Sequence, residues 1–403
     1  MHFCVDNKNF ANMKNVVGQT PRGEDFFPRE GIINKIYRRL ESGAHVFLAA
    51  PRRVGKTSIM RYMEDHPRPG FHFVYIITES AHDSEAFYQK LLDELLKSAA
   101  LTNLAKQKEK VSGLVKSIIE KVEKVKIAGI EVNLQRKAAE TYQAAFEKFI
   151  AEYNDGENML VIMVDEFPQT VENIKIKHGE AEAQTFLRLN REQRQQANQN
   201  VRFIYTGSIG LPAVVKKLTS TSVINDLNVV DILPLTPEEA EDLTQRLLNR
   251  YQVKYKPEMV GYLLSKIKWL IPFHIQLAAQ ELIDVFETTN QPLDEASVDR
   301  AFAQLLNVRN DIYFEHYYTR LELAFPKSQH GFITMLLDRL AKQDSLSQDA
   351  VNALAAEHQL SDSLEAILEA LVYDGYFHFD KSINAYRFNS YLLQSWWDKK
   401  NLR

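Results

Sequence analysis

Nine residues near the start of the chain, Ala50-Pro51-Arg52-Arg53-Val54-Gly55-Lys56-Thr57-Ser58, have the types and order needed to hold a phosphate chain. A loop ending in Gly-Lys-Thr turns successive backbone N–H groups inward, and the helix after it adds the partial positive charge of its N-terminus. Lys56 then reaches the β- and γ-phosphates, and the Thr57 hydroxyl can ligate Mg²⁺. Gly55 leaves room there, because a Cβ would crowd the phosphate. The strict pattern has glycine where this chain has Ala50, a departure that touches the first turn of the loop and not the anion site. A second pair, Asp165-Glu166, closes the apolar run Met159-Leu160-Val161-Ile162-Met163-Val164. Asp165 would hold Mg²⁺ directly or through water, and Glu166 would orient and activate an attacking water. Each motif alone is common as an ordinary loop, whereas the two together point to nucleoside triphosphate chemistry.

Strands and helices must place these groups. Residues 45–50 read as a buried strand running into the phosphate loop, and Ile59 onward as the helix after it. Residues 71–77 read as a second strand, entered through Pro67, Pro69 and Gly70. The run before Asp165 is a third strand, apolar enough to be buried on both faces, with its carboxylates at the end that faces the ligand crevice of an α/β sheet. Residues 201–206 are a fourth strand, tipped by Gly207-Ser208, and 229–233 a fifth. Thr206 or Ser208 could sense a γ-phosphate or cap a turn, and the sequence favours neither. Ile32, Ile33, Ile36, Tyr37 and Leu40 recur at helical spacing up to Gly43, and Phe87 to Leu96 mark a helix covering the sheet.

At 403 residues the chain is long for a single core. With 45% hydrophobic and 25% charged residues it reads as an ordinary globular protein. The net charge of −4 gives no global attraction to nucleic acid or acidic lipid. One cysteine, Cys4, excludes an intrachain disulfide and fits a reducing, cytoplasmic setting. The N-terminal residues lack the pattern of a secretory signal, and no apolar run approaches the ~20 residues of a membrane span.

Residues 97–137 carry ten Lys/Arg against four Glu, a local charge of +6. Val111, Leu114, Val115, Ile118, Ile119 and Val122 form one helical stripe within them. Such a helix can lie on a membrane or an acidic partner, but packing on the body with solvated lysines is the more ordinary role and the one expected. Val125/Ile127 and Ile130/Val132/Leu134 alternate around Ala128-Gly129, which predicts a small hairpin. Thr236, Pro237 and Glu239 have the spacing of a capped helix start, and helices follow Pro257 and Pro272. Three helical segments (332–342, 348–358 and 364–373) then precede two alternating strands (376–379 and 386–388) and a last helix with Trp396 and Trp397. Three helices followed by a hairpin describe a winged helix.

Phe27-x-Arg29-Glu30, Pro51-Arg52-Arg53-x-Gly55-Lys56-Thr57-Ser58, Val164-Asp165-Glu166, Gly207-Ser208 and Pro272-x-x-x-Gln276 resemble the archaeal-type P-loop ATPases of the STAND group, relatives of the AAA+ ATPases. The resemblance spans roughly residues 20–300, with a winged helix as a common C-terminal neighbour. It implies an α/β P-loop NTPase core with a five-stranded parallel sheet in the order 5-1-4-3-2 (1–235), a helical lid (236–308) and a winged-helix domain (309–403). It further implies ATP/ADP and Mg²⁺ as cofactors, Arg29 near the adenine, and the helix at Pro272 closing on the nucleotide.

AAA+ ring motors place an arginine before the fifth strand, and here none occurs between Arg202 and Arg246; Lys216 and Lys217 are the cations available. Arg188, Arg191 and Arg194 lie earlier and read as a solvated helix face. A slow ATP-driven switch is therefore expected, with a DNA-associated ATPase of the replication-initiator or transposition-helper kind and a nucleotide-stabilised scaffold as alternatives. Between Lys342 and Lys381 there is no Lys or Arg, so the third helix of the C-terminal domain lacks the cations that duplex DNA requires. That domain is expected to contact protein, a partner or the chain itself.

Overall fold

Buried β-branched and aromatic runs set the architecture in the computed structural model, which describes residues 13–99, 101, 102, 106, 109–130, 141–154 and 156–400. Two compact units result, one from residues 28–50 and 56–232 and the other from 13–27, 51–55 and 233 onward. In the first unit, α1 (Glu30–Glu41) buries Ile33, Ile36, Tyr37 and Leu40 at helical spacing. It stops at Gly43, whose φ of 85° suits a residue without a Cβ. Then come β1 (His45–Ala49), α2 (Lys56–Asp65), β2 (Phe71–Ile77), α3 (Ser84–Lys97), α4 (Glu109–Ile130), α5 (Tyr142–Glu152) and β3 (Met159–Asp165). The unit is completed by α6 (Phe167–His178), α7 (Glu180–Gln196), β4 (Val201–Thr206), α8 (Leu211–Leu218) and β5 (Leu227–Asp231).

The five strands form one parallel sheet in the order β2-β3-β4-β1-β5, the arrangement expected above. Its central strand pairs set the site: Ile77 opposite Asp165, Val164 opposite Tyr205, and Leu48 opposite Thr206. The C-terminal ends of β1, β3 and β4 therefore lie side by side. Leu160 to Val164 are fully buried, as helices on both faces of a parallel sheet require. Phe87, Leu91 and Leu92 of α3, Phe146 and Phe149 of α5, and Phe186 of α7 share the core with β3 and β4. Each such side chain contributes about 1.5–3 kcal/mol by leaving water.

Two expectations are corrected in this unit. The fifth strand begins two residues earlier than 229–233, because pairing starts at His45–Leu227 and the last ladder contact is Ile232 N donating to Ala49 O. The hairpin expected around Ala128-Gly129 is absent: residues 125–130 continue α4, whose helical stripe overrides the short alternation. Val132 and Leu134 lie outside the described residues. The packing role of that stripe holds, since Val111, Leu114, Ile118 and Val122 are buried in the core.

The second unit holds α9 (Pro237–Arg250), α10 (Pro257–Ile267), α11 (Pro272–Thr289), α12 (Glu295–Leu305), α13 (Glu315–Ala324), α14 (Lys327–Gln343), β6 (Leu346–Ser347) and α15 (Gln348–Glu357). It ends in α16 (Leu364–Tyr373), β7 (Phe377–Asp380), β8 (Ala385–Phe388) and α17 (Tyr391–Lys400). The predicted capping box opens α9: Thr236 Oγ1 accepts from Glu239 N at 3.2 Å, and Glu239 Oε2 from Thr236 N at 3.0 Å. The C-terminal hairpin carries a third, two-residue strand not anticipated from the sequence, in the order β6-β8-β7. Trp396 and Trp397 are buried, their indole N–H groups donating to Asp311 and Asp338.

Candidate active site

The chemistry-bearing side chains of the first unit gather where β1, β3 and β4 end. Lys56 is the first residue of α2 and is buried, its Nζ donating to the Ala50 carbonyl at 2.7 Å. Thr57 Oγ1 donates to Asp165 Oδ2 at 2.9 Å. Asp165 Oδ1 accepts from the backbone N–H of Glu166, also at 2.9 Å. A third donor, the hydroxyl of Tyr75 on β2, reaches Asp165 Oδ2 at 2.6 Å. Burial lifts the Asp165 carboxyl above its ordinary range, against the opposing pull of the Tyr75 and Thr57 hydrogen bonds.

Glu166 follows the strand in the left-handed region, at φ 59°, and acts as the N-cap residue of α6. A non-glycine residue is held there at a cost of about 1–3 kcal/mol, so the surrounding structure must fix it. Its Oε2 accepts from Ser208 N at 2.9 Å and Ser208 Oγ at 2.8 Å. The strand-end pair and the residue at the tip of β4 thus form one hydrogen-bonded group. Gly207 makes that approach possible: a Cβ there would stand 2.5 Å from Pro168 Cδ. Gly55 has φ 105°, and a Cβ there would meet no other protein atom, so within the chain its requirement is conformational. Ser58 is half-buried, and the carbonyl of buried Arg29 accepts from Ile32 N and Ile33 N to begin α1.

Loop residues 51–55 group with the second unit. There Val54 is buried, and Arg53, at φ 64°, sets its guanidinium 3.9 Å above the ring of Phe273, which follows Pro272 in the first turn of α11. Arg52 lines a small cavity with His316, Tyr317, Tyr376 and the buried pair Arg320–Asp374, whose N–O distance is 3.0 Å. Gly375, at φ 84°, sits where a Cβ would be 2.5 Å from Trp269 and 3.0 Å from Pro51.

The donor set at Thr57 and Asp165 suits a hard cation that keeps most of its coordination for water and substrate phosphates. Among the described residues no cluster of three His, Cys, Asp or Glu offers a fuller protein cage.

No protein-family model matches the chain, and no curated protein matches it. Among solved structures it is similar to a Walker-type ATPase of Pyrococcus abyssi, with 15% identity over 95% of this chain and 99% of that one, at a TM-score of 0.65. It is also similar to the ORC2 protein of Aeropyrum pernix in its ADPNP–ADP complexes, with 12% identity over 98% and 96% of the two chains, at a TM-score of 0.55. The fold is that of the P-loop ATPases.

Within this P-loop ATPase fold one of the three arginines of α7 differs from expectation. Arg188 lies on the exposed face, donating to Gln184, but Arg194 is not solvated. Its guanidinium donates to both oxygens of Asp226 (2.6 and 2.8 Å), to Asn190 and to the Val223 carbonyl. Tyr75 was missed by reading motifs, because it sits mid-strand in an apolar run. Its signal was the phenol itself, a polar tip that needs a partner once buried. No helix among the described residues is long and apolar enough to cross a membrane.

Proposed function

We propose that this chain is a Mg²⁺-dependent ATPase that works as a slow, nucleotide-controlled switch. The observation that carries the reading is the grouping of Lys56, Thr57, Asp165, Glu166 and Ser208 at the ends of adjacent parallel strands. Lys56 neutralises the β- and γ-phosphates, alongside the backbone N–H groups of residues 50–58. Thr57 and Asp165 hold the cation, which when bound offsets the charge of the phosphate oxygens. Glu166 orients a water and takes its proton, and Ser208 fixes the Glu166 carboxylate. The STAND resemblance assigns nucleotide contacts to Arg29 and to Pro272.

In this reading residues 236–308 are a helical lid and 309–403 a winged helix that contacts protein, a partner or a second copy. The described surface of α16 supports that assignment. Leu364, Ile367, Leu368 and Leu371 face inward, leaving Asp362, Glu365 and Glu369 exposed. Carboxylates on that face repel a phosphate backbone. Loop residues 51–55 belong to the same unit as this domain, where Arg53 stacks on Phe273 and Arg52 lines a cavity with His316 and Tyr317. The experiment is calorimetry of ATP-analogue binding to the wild type and to Lys56→Ala. Affinity should fall at least tenfold in the variant, and an unchanged value would refute the site.

A further inference from the structure

Tyr75 lies on β2, which among the described strands is at the sheet edge and pairs with β3. Its side chain is almost fully buried, and its hydroxyl has a specific partner. It donates at 2.6 Å to Asp165 Oδ2, the same oxygen that accepts from Thr57 at 2.9 Å. A carboxylate oxygen offers two lone-pair sites. Tyr75 and Thr57 together fill both on Oδ2, while the Glu166 N–H occupies one on Oδ1. Three donors thus fix the plane of the Asp165 carboxylate. Because Thr57 gives its proton to Asp165, its own lone pairs are left for a cation.

The ring of Tyr75 is held as firmly as its hydroxyl. The Arg61 guanidinium lies 3.7 Å from the ring centroid, and Arg61 pairs with Glu64 at 2.7 Å. Glu64 Oε1 accepts from the backbone N–H of Tyr75 at 2.9 Å, satisfying a donor that the sheet edge would otherwise expose. Thr57, Arg61 and Glu64 are spaced four and three apart on α2, so they share one helix face. That face meets Tyr75 and Asp165 together. The tyrosine therefore sets the position of the helix carrying Thr57 against the strand carrying Asp165.

We infer that Tyr75 is a positioning residue for the cation-binding pair Thr57 and Asp165, acting through its hydroxyl on the Asp165 carboxylate. The inference rests on the nucleotide reading above and adds to it a residue outside both motifs. Outer-sphere partners of this kind typically tune metal affinity by about 10–100-fold. An ordinary buried tyrosine that merely satisfied its hydroxyl would affect stability and leave metal dependence alone.

The test uses Tyr75→Phe, which keeps the ring, the Arg61 contact and the backbone hydrogen bond, and removes only the hydroxyl. Binding of a non-hydrolysable ATP analogue is measured by calorimetry in Mg²⁺ and in EDTA, for the full chain and the variant, with melting curves as a control of folding. The expected result is an affinity in EDTA within about twofold of wild type. The gain on adding Mg²⁺ should be smaller by roughly 10–100-fold. Arg61→Met should shift the same ratio in the same direction by a few-fold. An unchanged Mg²⁺ gain in Tyr75→Phe, or an equal loss with and without the metal, overturns the positioning role and leaves the nucleotide site standing. A wild type that binds no analogue, or gains nothing from Mg²⁺, refutes the nucleotide or metal reading itself, and the inference falls with it.

Discussion

Glu166→Gln separates binding from chemistry at this site. The amide is the same shape as the carboxylate and keeps an oxygen for the two Ser208 donors, now at 2.9 and 2.8 Å from Oε2. Charge-assisted hydrogen bonds are about twice as strong as neutral ones. With a net worth near 1 kcal/mol each, the substitution should cost about 1 kcal/mol of stability or less, since the residue is only half-buried. The left-handed backbone at φ 59° is no harder for glutamine than for glutamate. Nucleotide affinity should be unchanged, because in this reading Lys56 and the loop backbone hold the phosphates, while the Glu166 carboxylate is engaged by Ser208. Turnover should fall much further. A general base contributes about 10²–10⁴-fold, equivalent to about 2.7–5.4 kcal/mol of barrier. Single-turnover hydrolysis, calorimetry with an ATP analogue and a melting curve measure the three quantities on one preparation. Equal turnover in the two proteins would remove Glu166 from the mechanism. A matching loss of affinity would show instead that the substitution disturbs the phosphate loop.

Two further predictions concern buried ionisable groups. Arg194→Met leaves Asp226 and the Val223 carbonyl without their donor, and should destabilise by about 2–4 kcal/mol, less than a fully buried pair because Asp226 is partly solvated. Burial alone would raise the Asp226 carboxyl, but Arg194 holds it below the ordinary range. The wild type should therefore lose stability as pH falls through and below about 4, and the variant should lack that component in acid denaturation curves. His274 is fully buried, which drives its pKa down to about 3. From about pH 6.5 downward the unfolded chain takes up a proton that the folded chain refuses, so stability declines on acidification by up to about 1.4 kcal/mol per pH unit. His45, at about 4, and His316, at about 3, act in the same direction. Urea unfolding of His274→Phe between pH 7 and 5 should show a slope that becomes shallower than wild type by up to about one proton as pH 5 is approached, and an identical slope would contradict the assignment.

The site was legible where chemistry forces a local pattern. Lys56, Thr57, Asp165 and Glu166 are announced by their neighbours, because a phosphate loop and a strand-end carboxylate pair are each encoded in consecutive residues. The strand before Asp165 was readable for the same reason, since burial on both faces demands an unbroken apolar run. The sheet order came from the family resemblance, as no periodicity reports which strands are adjacent. What stayed hidden depends on contacts distant in sequence. Tyr75 and Asp165 are brought together by the register of β2 on β3, and nothing near Tyr75 distinguishes it from the other aromatic residues of its strand. The expected hairpin failed for a different cause. Residues 125–130 follow directly on the helix whose stripe begins at Val111, and continuing a helix already formed avoids a new nucleation.

Arg194 bears on which kind of ATPase this fold serves. In sequence it was one of three arginines between the Asp165-Glu166 pair and the fourth strand, and a ring motor needs an arginine that can leave its own subunit's core. The guanidinium of Arg194 is instead saturated inside its own unit, by both oxygens of Asp226, by Asn190 and by a carbonyl. Withdrawing it would strand a carboxylate at a cost of several kcal/mol, so it cannot serve a neighbour while it holds α7 to the segment before β5. Arg188 remains on the exposed face, one and a half turns earlier, bonded among the described residues to Gln184 of its own helix. Arg194 is thus removed as a residue completing a neighbour's site, and Arg188 is the exposed arginine of α7 whose substitution would test such a role.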